Sequence, residues 1–328
     1  MSANISIFVP HNGCPNMCSF CNQFAITKHI KQPTAQDVDE AVAVALNSSN
    51  YDGYNTEIAF FGGSFTAIDT DYMIELLSSA HKYVKSGQVC GIRVSTRPDA
   101  INIDVLNLLK NFGVSTIELG AQSMCDDVLI ANNRGHASTD VVFASNLIKQ
   151  NGFKLGLQMM TGLYKDTDEK SIETCEIFIE LKPDFVRIYP TIVLKHTLLE
   201  KLYNDGVYHP QTVEDAANIC VKLLNKFESA GIPVIRLGLH TIDTDEYVAG
   251  PWHAAFGEIC ESLIVLNKLK QLITKSGSYN VYVHPSMHSK TIGHGKSNLN
   301  ALSKENIIIK VISDKNCDKG QIKIEEVR

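Results

Sequence analysis

Residues 10–25 read P-H-N-G-C-P-N-M-C-S-F-C-N-Q-F-A, and Cys14, Cys18 and Cys21 form a C-x3-C-x2-C triplet on one short loop. Thiolates are the ligands of iron–sulfur clusters, and ferredoxin-type cubanes take four of them. Three would hold three irons of a cubane and leave the fourth open to bind a substrate. A zinc site built from the same three cysteines and His11 is the alternative on this loop, because His/Cys3 is a known zinc set. Zinc sites usually bring ligands in two pairs, and no second pair occurs in the chain. A disulfide framework is disfavoured by the start, Met1-Ser2-Ala3-Asn4, which carries no secretory signature.

The other six cysteines, Cys90, Cys125, Cys175, Cys220, Cys260 and Cys317, are scattered and form no C-x-x-C. They read as small buried hydrophobes. No apolar run approaches membrane-spanning length, so the expected location is cytoplasmic. The net charge of −6 conceals an asymmetry. Residues 257–328 hold 11 Lys+Arg and 7 Asp+Glu, a net of +4, leaving 19 and 29, a net of −10, for residues 1–256. A basic tail on an acidic body can mark an anionic partner, or it can be a solvated face.

The apolar patterning alternates between strands and helices. Ile5–Val9, Glu57–Phe61, Gly91–Thr96, Thr116–Gly120, Lys154–Met160, Phe185–Tyr189 and Ile232–Leu237 read as strands. Helices are predicted between them, among them 71–85, 104–111, 139–150, 169–181 and 213–229. This alternation predicts βαβ units on a parallel sheet, joined by right-handed crossovers. Six units and a closing strand predict an α/β fold, a partial (β/α)6-type barrel spanning residues 1–240. A small C-terminal α+β extension then occupies 241–328. Residues 238–256 lack periodicity and read as a long crossing segment. A helix from 257 to 275 and strands at 279–283, 307–312 and 322–327 complete the extension. Gly295-Lys296-Ser297 resembles the end of a phosphate-binding loop, but Lys290 stands where that motif needs its first glycine.

In parallel α/β barrels the active site forms at the C-terminal ends of the strands. Gly62-Gly63 follows the second strand, where the missing Cβ lets a ligand approach the backbone, or simply permits a tight turn. Gln122 ends the fourth strand and Arg134 follows it within Asn133-Arg134-Gly135-His136. A guanidinium suits a carboxylate bidentately, although Arg134 could equally close a helix at the surface. Gln158 lies inside an apolar strand and must find partners, either in a core network or on a ribose hydroxyl.

The strand followed by the cysteine loop, with Phe20 between the second and third cysteines, resembles the radical S-adenosylmethionine (SAM) superfamily. Gly-Gly-Ser-Phe-Thr at 62–66, Thr-Arg-Pro-Asp at 96–99, Glu-Leu-Gly-Ala-Gln-Ser at 118–123, Asn-Arg-Gly-His at 133–136 and Arg-Ile-Tyr-Pro-Thr at 187–191 narrow the likeness. Together they resemble the radical SAM domain of the Elongator catalytic subunit over residues 5–240. The block at 250–258 resembles the start of that group's C-terminal extension, and oxygen-independent coproporphyrinogen oxidases are more distantly similar.

The resemblance implies a [4Fe-4S] cluster on Cys14, Cys18 and Cys21, with SAM on the open iron. It implies Gly62, Gly63, Gln122, Arg134 and Gln158 as SAM contacts and leaves Ser95 without a transferred role. It also implies reductive cleavage to a 5′-deoxyadenosyl radical, with electrons from a flavodoxin or ferredoxin. Elongator-type chains carry an acetyltransferase domain and a basic N-terminal segment not seen in this sequence, so the acetyl-CoA-dependent reaction is not carried over. Tyr189, Lys195, Trp252 and His253 are candidates for the substrate side, each with a packing or surface role as its plainer account. RNA, held through the basic C-terminal module, is the first substrate considered. The alternatives are a tetrapyrrole substrate and a non-catalytic iron–sulfur protein.

Overall fold

The computed structural model describes residues 3–10, 14, 18–22, 31–239, 242 and 244–327. His11, the fourth ligand of the zinc alternative, lies outside them. The chain forms two compact units, one of residues 1–212 and 223–252 and the other of residues 213–222 and 253–328.

The first unit is built on a seven-stranded parallel sheet. Its strands are β1 (Ala3–Val9), β2 (Thr56–Gly62), β3 (Gly91–Thr96), β4 (Val114–Gln122), β5 (Lys154–Thr161), β6 (Phe185–Pro190) and, after the two-residue β7 (Val193–Leu194), β8 (Val234–Leu237). The order is β1-β2-β3-β4-β5-β6-β8, each strand hydrogen-bonded in parallel to the next, as expected of six successive βα units and a closing strand. β1 and β8 are the two edges, so the sheet is open and the barrel partial.

Helices α1 (Ala35–Leu46), α2 (Thr70–Lys85), α3 (Ile103–Asn111), α4 (Asp126–Ala131), α5 (Ser138–Gln150), α6 (Asp168–Leu181) and α7 (Leu198–Asn204) occupy the connections. Their starts are set locally. Thr34 and Asp37 form a capping box at α1, and Asp69, Asn102, Thr167 and Thr197 accept backbone N–H bonds at α2, α3, α6 and α7. Helix α8 runs Val213–Ser229. The predicted crossing segment contains a short strand, β9 (Tyr247–Ala249), antiparallel to β7. Ribbons of two or three residues are too short to show a periodicity of two.

One face of the sheet carries charge. Arg93 on β3 donates from Nε to Glu57 Oε2 on β2 at 2.9 Å, and from Nη1 to Glu118 Oε1 on β4 at 2.6 Å. Glu118 Oε1 also accepts from Arg187 Nη2 on β6 at 2.9 Å, and its Oε2 accepts from Gln158 Nε2 on β5 at 2.7 Å. Thr116 Oγ1 donates to Glu57 Oε1 at 2.6 Å. Glu118 is wholly buried, and Glu57, Arg93 and Arg187 nearly so. Buried charges persist only when paired and hydrogen-bonded, and here two carboxylates balance two guanidiniums across five strands. The guanidiniums also stack on rings, Arg93 over Phe185 at 4.7 Å and Arg187 over Phe61 at 5.4 Å. Gly156 makes room for this layer, because a Cβ there would meet the Phe185 ring at 2.4 Å.

The second unit holds helix α9 (Phe256–Leu272) and a mixed three-stranded sheet of order β11-β10-β12, from β10 (Gly277–Val283), β11 (Ile307–Ser313) and β12 (Ile322–Glu326). Val265, Leu269, Tyr279, Val281, Val283 and Leu302 form its core. The segment between β10 and β11 is largely helical. α10 (His288–Ile292) and α11 (Ser297–Lys304) lie in it, and Lys290 is paired with Glu261 at 2.8 Å. Buried Asn298 staples the segment, its Nδ2 bonding to the carbonyls of Ser262 (2.8 Å) and Lys290 (3.1 Å).

Candidate active site

Every residue here belongs to the first unit unless stated. The cysteine loop follows β1 and lies against the turn after β2. The Ser64 backbone N–H lies on the side of the Cys14 thiol and favours its thiolate. Cys21 N–H donates to Cys18 O at 3.1 Å, and Ser19, wholly buried, donates through Oγ to Asn132 Oδ1 at 2.6 Å and through N–H to Asn132 O at 3.0 Å. These bonds tie the loop to the end of α4. Arg134, two residues further on, points back at it, with Nη1 3.2 Å from Cys18 Sγ and Nη2 2.5 Å from Gly120 O. Its Nε is buried without a partner.

Burial pushes the Cys14 thiol pKa up, while Arg97 and Arg134 pull it back. Two guanidiniums beside the loop favour bound thiolate over thiol once a metal takes the proton's place. Among the described residues no three His, Cys, Asp or Glu side chains gather closely enough to hold a single ion. A cubane places each thiolate on a different iron. None of the nine cysteines forms a disulfide. Of the six outside the triplet five are buried as expected, while Cys90 is exposed.

A cavity of about 450 Å³ opens at the C-terminal ends of the strands. Cys21 of the triplet lines it together with Gly62, Gln122, Gln158 and Tyr189. Besides the ion-paired Arg187 Nε, two of its lining polar atoms, Ser95 Oγ and Gln122 Oε1, are buried with no hydrogen-bond partner among the described residues. Buried polar atoms ordinarily pair, so orphans in a cavity wall fit a polar ligand. Gln122 is also held at φ 68°, at an irregularity in the pairing of β4 with β5. A non-glycine residue in that region stores strain, which concentrates at ligand-binding positions. These features suit a polar nucleoside such as SAM, and the adjoining thiols and guanidiniums suit an anionic cluster.

Gly62, at φ 115°, has its own structural reason to be glycine, since a Cβ would lie 2.7 Å from Val9 O. Gly63 N–H is engaged by Val9 O at 2.8 Å. The Gln158 amide is engaged by Glu118, which makes the core network the account of its donor. Gly63 and Arg134 are not among the lining residues, and neither are Lys195, Trp252 or His253. Lys195 is exposed at the end of β7, its N–H bonded to Glu246 O at 2.9 Å. Trp252 packs on Ile192, Leu194 and Ile242. His253 opens the second unit, edge-on to His294 at 4.9 Å.

Sequence reasoning passed over Glu57, Arg93 and Arg236, and over Arg97 as a neighbour of Cys14. The signal was the one that exposed Gln158, a polar side chain inside an apolar strand.

His136 closes the Asn-Arg-Gly-His run, with Nε2 3.2 Å from Ala121 O. Burial, and next the Arg134 charge, lower its pKa from 6.5 to about 4. Because the folded value lies below the unfolded one, the stability this neutral imidazole contributes is complete above pH 6.5. It is lost as pH falls towards 4, by ~3 kcal/mol in all. Asp166 opposes it: burial raises its carboxyl to about 6, so its contribution grows as pH falls from there. The clean readout is therefore a difference. Cluster-free wild type should lose stability relative to His136→Gln between pH 6.5 and 4, and the imidazole should titrate near 4 by NMR. A midpoint near 6.5 would contradict the burial argument.

Residues 8–178, more than half of the chain, match the family model described as Radical SAM superfamily, and residues 183–264 match the Radical_SAM C-terminal domain. The chain belongs to the radical SAM superfamily. It is an enzyme of the radical SAM class, a superfamily whose membership implies a [4Fe-4S] cluster and SAM.

A tRNA uridine(34) acetyltransferase of Dehalococcoides mccartyi is 27% identical over 230 residues, covering 60% of this chain and 50% of that one. An uncharacterized protein of Methanocaldococcus jannaschii is 25% identical over 276 residues, covering 81% and 83%. Human Elongator complex protein 3 is 29% identical over 188 residues, covering 51% and 34%. The chain thus spans half or less of the acetyltransferase and Elongator relatives.

The solved structure of Methanocaldococcus infernus Elp3, lacking its N-terminus, superposes with a TM-score of 0.67 at 19% identity, covering 82% of this chain and 63% of that one. Coproporphyrinogen III oxidase (HemN) of Escherichia coli superposes at 0.50 and 17%, covering 70% and 52%. These likenesses show a shared radical SAM fold. No described helix is long and apolar enough to cross a membrane.

Proposed function

We propose that this radical SAM enzyme binds a [4Fe-4S] cluster through Cys14, Cys18 and Cys21 and cleaves SAM reductively. The observation that carries the reading is that Cys21 lines the same cavity as Gly62, Gln122 and Gln158. When bound, the cluster supplies the electron that splits SAM into methionine and a 5′-deoxyadenosyl radical. The chain's own residues then have separable tasks. Arg97 and Arg134 offset the negative charge of the thiolates. Ser95 Oγ and Gln122 Oε1 supply hydrogen-bonding capacity to the nucleoside. The reducing electron comes from a flavodoxin or ferredoxin in this reading.

Calorimetric titration of SAM into anaerobically reconstituted protein tests the cofactor assignment. Arg134→Ala should weaken binding by about 1.5–3 kcal/mol, the range for a hydrogen bond to a charged group. Unchanged affinity with a shifted cluster potential would assign Arg134 to Cys18 alone.

RNA is the first substrate to test, on two grounds: relatives named tRNA uridine(34) acetyltransferases, and the +4 balance of residues 257–328. Contact through phosphates must weaken with salt, because it releases condensed counterions. Lys290 is already paired with Glu261, so Lys296 and Lys304 are the better probes. In a gel shift with total tRNA, Lys296→Glu/Lys304→Glu should bind more weakly than wild type at low salt, with a shallower salt dependence. Equal binding by both proteins, or none by either, removes this module as the RNA contact.

A further inference from the structure

Arg236 stands apart from the buried charge network. It lies on β8, in register with Arg187 on β6, and its side chain lines the cavity. Arg187 is 2.8 Å from Glu118 Oε2, and the two carboxylates and two guanidiniums of that network already balance. Among the described residues Arg236 has no carboxylate partner, so its charge is surplus. Paired positions on neighbouring strands stand about 4.8 Å apart. Two guanidiniums in adjacent register, Arg187 buried and Arg236 half-buried, repel each other, and an anion above them relieves that cost. Tyr189 lines the same cavity, its hydroxyl 3.4 Å from Arg187 Nη1, and offers a further donor.

Arg236 and the triplet belong to opposite ends of the strand order. Cys21 belongs to the loop after β1, and β1 and β8 are opposite edges of the open sheet. We propose that the β6–β8 end of the cavity is a subsite for an oxyanion, phosphate or carboxylate, on the second substrate. Arg236 is its direct ligand and the Tyr189 hydroxyl a second donor. This assignment rests on the reading of Cys21, Gly62, Gln122 and Gln158 as the SAM side of the cavity, and it narrows the substrate to a molecule that brings an anionic group into the barrel mouth.

The chain supplies its own probe. Trp252 is the sole tryptophan. It packs on the cluster of Ile192, Leu194 and Ile242, of which Ile192 and Leu194 line the cavity. Reconstituted protein saturated with SAM would be titrated with inorganic phosphate and, separately, with acetate, at constant ionic strength in chloride. Trp252 fluorescence and equilibrium dialysis with radiolabelled phosphate or acetate would be the readouts. Wild type should bind one anion saturably, and the tighter of the two identifies the group. Arg236→Gln should weaken that binding at least roughly tenfold, with Arg236→Lys intermediate. Circular dichroism and iron content matching wild type would establish that both variants are folded.

Equal anion affinity in wild type and Arg236→Gln overturns the proposal, as does no saturable binding to wild type by either readout. Competition between SAM and the anion in wild type also overturns it, because Arg236 then serves the SAM carboxylate. Failure of wild type to form 5′-deoxyadenosine while anion binding depends on Arg236 would overturn the cofactor reading and leave the anion site in place.

Discussion

Replacing any one of Cys14, Cys18 or Cys21 with alanine is expected to abolish the cluster. Wild type, reconstituted anaerobically with iron and sulfide, should hold about four irons and four sulfides per chain, with the visible absorbance of a cubane. The effect is large because a cubane held by three thiolates has no spare protein ligand. The other six cysteines offer no substitute pair, and five of them are buried. Cys125, Cys175 and Cys260 are also held as thiols, burial pushing them up to about 11, 12 and 12. Metal analysis and absorbance decide the matter. Stoichiometric zinc with no iron uptake would sink the cluster assignment, and near-normal iron in a single alanine variant would mean a different ligand set.

Glu118→Gln should destabilise the cluster-free protein by about 3–5 kcal/mol, the range for removing one partner of a buried ionic pair. Glu118 is wholly buried and accepts from Arg93, Arg187 and Gln158 at 2.6–2.9 Å. Neutralising it leaves two guanidiniums in the sheet with one carboxylate between them. Burial works against the Arg187 charge, and Glu118 and Tyr189 together more than offset it, so its pKa is raised. Urea denaturation of the two proteins measures the loss. A cost below about 1 kcal/mol would show that water or a rearranged partner replaces the carboxylate, and that the network is not what holds the strands in register.

The parallel sheet was legible because its strands are buried and read as short apolar runs between helical periods. The cysteine triplet was legible because its members are neighbours in sequence. What escaped was non-local. Glu57, Arg93, Glu118 and Arg187 come from four strands, and no spacing within one segment announces that they meet. Gln158 illustrates the limit: its polarity in an apolar strand signalled a partner, but only the fold identifies Glu118. No helix was predicted at 288–304, for a related reason. Gly293 and Gly295 suggested a loop, whereas buried Asn298, bonding to Ser262 O on another helix, holds the segment in place. The cavity joins residues from the β1 loop to β8, and it gathers Gly62, Gln122, Gln158 and Tyr189 but not Gly63, Arg134, Lys195, Trp252 or His253.

The central claim is that the triplet and the cavity together perform SAM cleavage. The direct measurement is 5′-deoxyadenosine formed by cluster-loaded, dithionite-reduced protein supplied with SAM and no substrate, followed by chromatography over hours. The account predicts slow but continuing formation with an equal amount of methionine, and none from Cys18→Ala. A fully loaded [4Fe-4S] protein that binds no SAM and yields no 5′-deoxyadenosine would contradict it and leave a cluster without that chemistry.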